Sequence, residues 1–354
     1  MLDNTHLITL SMPVYNVEKY VEKSLLSALN QTYKNIEYII VDDKGDDKSM
    51  DIVRQIIMKH QRGKEVKIIE HENNTGLGAG RNSAIEHAKG DYIFFMDSDD
   101  EISPDCIKKL YDNIQKQNAD FAVGSCRRLS RTGQIIKDEI NTDLKICGYM
   151  EVARQFFEQR NKSLTVFTWN KLYRMSFLRD NRILCNPAHL NEDNIFSFQV
   201  FLNAFSCSLI HDITYFYYET PDSIMYKIQN KNISPRFATQ YTEIGAFYRE
   251  YMQNYRYTDI YESIIEYVIN NEYFHAVKVS NSLKICKSEK RKFIKSIAVF
   301  PLNFGEIGKL KKKKLFFYLM WLIFKAPFKI PLFKLILRTA GIKKQLINSK
   351  YCKI

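Results

Sequence analysis

Short apolar runs separated by helix-length amphipathic stretches fill the first 125 residues. The runs at 7–12, 38–41, 66–70, 92–96 and 121–124 read as strands, and the stretches at 17–30, 48–61, 78–89 and 104–117 read as helices. Strands and helices in strict alternation are the mark of βαβ units, which predicts an α/β chain built on a mostly parallel central sheet. The helix at 104–117 has its own start signal, with Ser103 placed to cap it and Pro104 at the first helical position.

The pattern loosens further along. Helices are expected at 149–160 and 192–203 and short strands at 207–210 and 215–218, forming a second half packed on the first. Residues 234–296 predict two or three helices rich in Tyr and Ile, without evident chemistry. The expected organisation is a domain over 1–225, with halves 1–125 and 126–225, a helical region over 226–306 and a tail over 307–354.

Charge changes the picture only at the end of the chain. The formal net charge is +12, but no acid follows Glu306, where thirteen Lys and Arg remain, leaving 39 basic against 40 acidic residues before it. The body is neutral and the tail is basic, so the total does not describe a nucleic-acid-binding surface. Seven scattered cysteines without a CxxC pair read as reduced thiols. The first residues lack the basic and apolar regions of a signal peptide, which predicts a cytoplasmic location.

Ligands of open α/β sheets bind outside the carboxyl ends of the strands, so the residues after each strand carry the candidate chemistry. Strand one ends in Pro13-Val14-Tyr15-Asn16, strand two in Asp42-Asp43 and strand four in Asp97-Ser98-Asp99-Asp100. Alternating carboxylates at a strand end repel one another unless a cation lies between them. Hard Mg²⁺ or Mn²⁺ prefers oxygen ligands together with substrate phosphates, so a diphosphate leaving group fits there. The plainer alternative is a loop of solvated acids. A dinucleotide fingerprint is excluded, because Gly76-Leu77-Gly78-Ala79-Gly80 has the wrong spacing and follows the third strand.

Taken with Ala28-Leu29-Asn30-Gln31-Thr32-Tyr33, Asn74, Gly76-Leu77, Arg81-Asn82 and Gly90-Asp91-Tyr92, these segments resemble the family 2 glycosyltransferases of bacterial cell-surface polysaccharide synthesis, closely over 5–125 and more thinly to about 220. The resemblance implies a GT-A fold, Rossmann-like with helices on both faces of the sheet, followed by a helical C-terminal region. It implies a UDP-sugar donor and Mn²⁺ or Mg²⁺. Tyr15 would stack on the uracil, with Pro13 and Glu18 in the same nucleotide-facing stretch, and Asp43 would accept the uracil N3 proton. Asp97 would face the ribose beside Ser98, Asp99 would face the metal, and Arg81 would lie near the diphosphate. Glycine at 78 and 80 departs from the small residues usual there, as do Lys44 and Gly45 in the turn after strand two.

An inverting transfer needs a general base on the face opposite the leaving diphosphate. The resemblance places it in His189-Leu190-Asn191-Glu192-Asp193-Asn194, with Asp193 as the base and Glu192 as runner-up; a plain helix N-terminus, which favours acids, is the alternative. Thr168-Trp169-Asn170-Lys171-Leu172-Tyr173-Arg174 matches the stretch bordering the acceptor. Trp169 suits either a stacking face for a sugar or a place in the core, and Lys171 is placed to approach the diphosphate. His189 and His211 stand alone and are assigned no ligand.

From Lys309 onward a lysine run precedes ten uncharged residues, 315–324, well short of the ~20 that span a bilayer. The segment predicts an interfacial attachment, with lysines at anionic head groups and Phe316, Phe317, Trp321, Phe324, Phe328 and Phe333 in the acyl boundary. Packing of the tail on protein is the alternative. The expected activity is thus a metal-dependent inverting glycosyltransferase on the inner face of the cell membrane, acting on a glycan or lipid-linked oligosaccharide. The rival from another class is a non-catalytic nucleotide-sugar-binding protein that anchors or regulates a membrane glycan-assembly complex. A sugar-phosphate nucleotidyltransferase would need a Gly-rich basic loop after strand one, which Pro13-Val14-Tyr15-Asn16 does not supply.

Overall fold

The computed structural model describes residues 6–187, 192–219, 233–311 and 314–325. They divide into two compact units, Met1–Thr220 and Pro221–Ile354. Along the first run β1 (Ile8–Val14), α1 (Val21–Leu29), β2 (Ile36–Asp42), α2 (Ser49–Lys59), β3 (Val66–Glu70), α3 (Leu77–His87), β4 (Tyr92–Phe95), β5 (Glu101–Ile102) and α4 (Cys106–Gln117). There follow β6 (Phe121–Ser130), β7 (Ile135–Glu139), β8 (Leu144–Cys147), α5 (Glu151–Phe157), β9 (Lys171–Arg174), α6 (Met175–Asp180), α7 (Glu192–Asn203) and β10 (Ser206–Glu219).

The strands form one sheet in the order β3-β2-β1-β4-β9-β6-β10-β5, with β7 beside β6 and β8 beside β10. β3, β2, β1 and β4 are mutually parallel, as the alternation predicts. The sheet as a whole is mixed rather than mostly parallel, because β9 inserts antiparallel between β4 and β6. β9 is four residues long and lies inside the segment expected to border the acceptor, so no alternation marked it as a strand.

Period-two alternation gives the sheet two apolar faces. Ile8, Leu10, Met12 and Val14 of β1 pack in one core with Val21, Leu25 and Leu29 of α1 and Ile107, Leu110 and Ile114 of α4. On the other face Phe95 meets Phe196 of α7, and Phe156 of α5 stacks against Phe201 at 4.4 Å between ring centroids. At its centre the sheet is buried on both sides: all seven residues of β1 are buried, Thr9 and Ser11 among them.

Pro13 is tolerated inside this central strand for a geometric reason. It pairs with Val41 of β2, while pairing with β4 ends at Ser11 opposite Phe95. The N–H that proline lacks falls where β4 has already stopped. Beyond that point the two strands diverge, and the chain reverses direction across the sheet between β1 and β4. Such a switch opens a crevice at the strand ends.

Three local expectations change. α4 begins at Cys106 rather than 104, and Ser103 does not cap it: its hydroxyl donates to Asp105. The cap comes from Gln31, whose Oε1 accepts from Ile107 N at 3.0 Å while its Nε2 donates to the Ser103 carbonyl at 2.8 Å. The strands expected at 207–210 and 215–218 are one strand, β10, with register shifts between Leu209 and Tyr215 where the polar His211-Asp212 pair points outward. α1 starts at Val21, since residues 18–20 form a turn in which Tyr20 N donates to the Val17 carbonyl.

The second unit holds α8 (Pro235–Tyr251), α9 (Tyr261–Asn281), α10 (Lys287–Ile297), α11 (Phe304–Gly308) and α12 (Lys314–Lys325). Ser234 caps α8, with Pro235 in its first turn. Inside, Glu272 of α9 is fully buried and paired with Arg249 of α8, and His275 stacks on Tyr241 at 4.0 Å. Of the tail aromatics expected in an acyl boundary, Phe317 and Phe324 are buried instead, Phe316 and Trp321 are half-buried, and Phe328 and Phe333 lie outside the described residues, with the rest of the tail beyond 325.

Replacing Gln31 by Ala removes three hydrogen bonds from a buried side chain that joins the end of α1 to the start of α4. The expected loss is about 2 kcal/mol, read as a lower urea midpoint at unchanged slope. A loss below about 0.5 kcal/mol would show that water takes over the cap.

Candidate active site

The crevice at the ends of β1, β2 and β4 gathers acids around one arginine. Arg81 lies on the first turns of α3 and is 1% exposed. Its Nη2 donates to Asp97 Oδ1 at 2.9 Å, and its Nη1 donates to Asp193 Oδ1 at 2.7 Å and Glu192 Oε1 at 3.1 Å. Burial opposes the charge on Arg81, but Asp193, Asp97 and Glu192 outweigh it and hold the guanidinium protonated. Three elements distant in sequence, α3, the loop after β4 and the start of α7, are thereby joined.

α3 can carry Arg81 there because of its glycines. Gly76 precedes the helix with φ +97°, a conformation that L side chains rarely adopt. Gly78 lies so close to the Asn186 carbonyl that an added Cβ would sit 1.9 Å from its oxygen. The departure from the usual small residues is what lets α3 approach the segment that leads to Glu192.

Asp193 presents its two oxygens unequally. Oδ1 accepts from Arg81 and from both the amide and the hydroxyl of Thr168, whereas Oδ2 accepts from none of the described residues. The side chain remains 22% exposed. Asp97 is similar: Oδ1 is held by Arg81, Oδ2 has no partner among the described residues, and the side chain is 23% exposed. Burial raises the Asp97 pKa to about 6, against the pull of Arg81 and with added repulsion from Asp193 and Asp99. Glu192 is buried, and desolvation together with Asp193 raises its pKa above the ordinary carboxylate range.

Asp99 lies on the outer side of the loop. Arg131, at the tip of the β6–β7 hairpin, donates to its carbonyl at 2.8 Å and to Oδ2 at 2.7 Å, while its guanidinium lies 3.9 Å from the centre of the Tyr20 ring. Asp100 turns inward and ties the loop to β10, accepting from Tyr215 Oη at 3.0 Å and Tyr218 N at 2.9 Å. Burial, then Asp99 and Asp97, raise its pKa well above the ordinary value. Ser98 is buried between them.

The acids at 97, 99, 192 and 193 outnumber their two arginine partners, and all their donor atoms are hard oxygens. That charge balance fits a divalent cation at Asp99, with Asp97 beside it. Among the described residues no three His, Cys, Asp or Glu side chains form a ready-made cage, so such an ion would complete its shell with phosphate oxygens and water.

The other candidate residues differ in exposure and in bonding. Tyr15 is 45% exposed at the end of β1, an open ring at the crevice rim. Asp43 is nearly buried and accepts from His71 Nδ1, Asn74 Nδ2, Thr75 N, Thr75 Oγ1 and Gly76 N, all at 2.8 to 3.0 Å. Both its oxygens are filled by the chain itself, so Asp43 is the clasp of the loop 71–76, and a uracil N3 proton would have to displace one of these donors. Glu18 accepts from Lys48 N at 3.1 Å just before α2. Arg81 is turned inward, 1% exposed and donating to three carboxylates, rather than toward a diphosphate.

The three acceptor-side residues are all buried. The Trp169 ring lies parallel to Phe167 at 4.7 Å and Tyr215 at 4.6 Å, so of its two readings the core is the one realised. Lys171 does not approach the crevice opening: its Nζ donates to the Phe167 carbonyl and burial lowers its pKa to about 7. Glu192 is held by Arg81. Thr168, Arg131 and Tyr215 were missed by the sequence reading. Thr168 lies within the stretch that singled out Trp169 and Lys171, but nothing local marks which of its neighbours reaches Asp193. His189 lies outside the described residues, and His211 is a surface residue whose amide donates to Asp143.

Comparison with known proteins places this geometry. The family model described as glycosyl transferase family 2 matches residues 9–182. The putative glycosyltransferase EpsH of Bacillus subtilis is 32% identical over 249 residues, 70% of this chain and 70% of EpsH. A poly(ribitol-phosphate) beta-glucosyltransferase of Bacillus spizizenii is 33% identical over 59% of this chain, but the match spans only 32% of that longer protein. The crystal structure of S. aureus TarS 1-349 in complex with UDP-GlcNAc superposes with a TM-score of 0.54 at 21% identity, covering 88% of this chain and 78% of that one. The fold is the GT-A fold.

Two outcomes are expected from the charge network. Arg81→Met leaves three buried or half-buried carboxylates without their cation and lowers stability by about 3 to 5 kcal/mol in urea unfolding; a change below about 1 kcal/mol would sink the network. The second concerns Asp43. Burial alone would raise its pKa, but hydrogen bonds from His71, Thr75 and Gly76 overcome this and hold it below the ordinary value. A depressed folded pKa gives stability that is complete above the unfolded value of about 3.9 and is lost as pH falls through the folded one. The stability gap between wild type and Asp43→Asn should therefore persist above about pH 5 and shrink below about pH 4.

Proposed function

Because the chain belongs to the family 2 glycosyltransferases, we propose that it is an inverting, metal-dependent enzyme that moves a sugar from a UDP-sugar to a hydroxyl of a growing cell-surface glycan or lipid-linked oligosaccharide, at the inner face of the cell membrane. Glycosyl transfer is the activity of the family. UDP as the carrier is supported by the TarS complex with UDP-GlcNAc, and a β product by the name of the Bacillus spizizenii relative.

One observation carries the mechanism: Asp193 holds Oδ1 fixed by Arg81 and Thr168 and leaves Oδ2 without a partner among the described residues, on the same guanidinium that fixes Asp97. An acid anchored through one oxygen keeps the other aimed, which is what a general base requires. In the proposed step, Asp193 Oδ2 takes the proton from the acceptor hydroxyl as its oxygen attacks C1, and the bond from C1 to the UDP oxygen breaks on the opposite face. Tyr15 stacks on the base. Asp97 faces the ribose, and Asp99 would hold Mn²⁺ or Mg²⁺, which when bound neutralises the departing diphosphate. Arg81 acts through the acids that it positions. Glu192 shares the same guanidinium and helps to fix it beside the base.

The experiment is UDP release from a panel of UDP-sugars, with Mn²⁺ or with EDTA, in the presence of oligosaccharide and lipid-linked acceptors. Metal-dependent release with one donor is expected in the wild type, reduced at least about 100-fold in Asp193→Asn and in Asp99→Ala. UDP binding without release from any donor would favour the non-catalytic nucleotide-sugar-binding protein instead.

A further inference from the structure

The helical unit carries an apolar face that neither its core nor the transfer chemistry uses. α12 turns Phe317, Met320, Ile323 and Phe324 inward, and Phe324 meets the Phe300 ring at 5.7 Å. On the opposite side Leu315, Leu319 and Leu322 are 74%, 42% and 56% exposed. Their spacing of four and then three residues sets them in one stripe along the helix. Phe304, itself mostly exposed, flanks the helix through contacts with Tyr318 and Trp321.

Along the chain the charges that flank the stripe have one sign, while Glu262 of α9 accepts from Lys311 N beside it. The sequence run Lys311-Lys312-Lys313-Lys314 leads into α12, Lys325 ends it, and no acid occurs anywhere after Glu306. A protein partner would meet this surface with mixed charge, and a nucleic acid would gain nothing from three exposed leucines. An anionic bilayer matches both features. α12 spans only about 18 Å at the usual helical rise, and no helix among the described residues is long and apolar enough to cross a membrane. Its geometry suits lying along a surface.

We propose that α12 docks on an anionic lipid surface through Leu315, Leu319 and Leu322, with the flanking lysines at the head groups. The residues that enter the acyl boundary are therefore these leucines and not Phe317 and Phe324, which are committed to the helical core. The proposal rests on the membrane-side placement of the acceptor given above. Its test reads lipid binding without turnover, so that its failure and that of the transfer reading are told apart.

The test is flotation of the full chain with vesicles of phosphatidylcholine alone or mixed equally with phosphatidylglycerol, for wild type, Leu319→Glu, Leu322→Glu and Leu319→Met. Wild type is expected to float with the anionic vesicles and less in high salt. Each Glu variant should lower the partition coefficient about tenfold or more, with an unchanged melting midpoint, and Leu319→Met should stay within about twofold. Wild type that remains unbound to anionic vesicles overturns the proposal, as does equal flotation of the Glu variants. A wild-type dimer that Leu319→Glu converts to monomer, without vesicle binding, would assign the stripe to a second copy of the chain.

Discussion

The placement of one buried guanidinium governs this molecule. Arg81 is withdrawn from water, which would cost several kcal/mol if it stood alone, and three carboxylates from two distant segments compensate it. The compensation works both ways. Asp97, Asp193 and Glu192 could not be held this close without a cation among them; burial first, and their mutual repulsion after it, raise the pKa of Asp97 and Glu192. The start of α7, which carries the proposed base, is thus located relative to the acids after β4 by a single side chain.

Around this centre each strand-end acid has a separate task, although all are the same residue type. Asp43 spends both oxygens on the loop 71–76, Asp100 spends both on β10, and Asp99 faces Arg131 at the rim. Asp97 and Asp193 each retain an oxygen without a partner among the described residues. Fully bonded carboxylates hold the loops in shape, and partly bonded ones are available for chemistry. Aspartates that are indistinguishable as letters are separated by the number of donors that the fold brings to each.

The parallel block β3-β2-β1-β4, the crevice at its ends and the acids lining it were legible in the chain, because they follow from period-two alternation and from residues adjacent to strand ends. α7 was also legible to its exact ends at 192 and 203, as a long apolar run behind two acids. The insertion of β9 was not. Four residues give too little alternation to be recognised, and their antiparallel place between β4 and β6 depends on partners some 50 and 80 residues away. The roles assigned to Trp169 and Lys171 changed for the same reason: a residue's type says what it can contact, while the packing of β9 decided that Phe167 and the core contact it.

Local spacing was thus enough to establish the α/β class, the family resemblance and the acids from which a base and a metal ligand would be drawn, since each depends on residues within one element or its immediate exit. Which oxygen of which acid stays open, that Arg81 turns to the acids rather than outward, and that leucines rather than phenylalanines line the open face of α12 were settled only by folding. Burial and hydrogen-bond saturation are properties of the neighbours a residue acquires, here up to 118 positions away, and no window along the chain contains them.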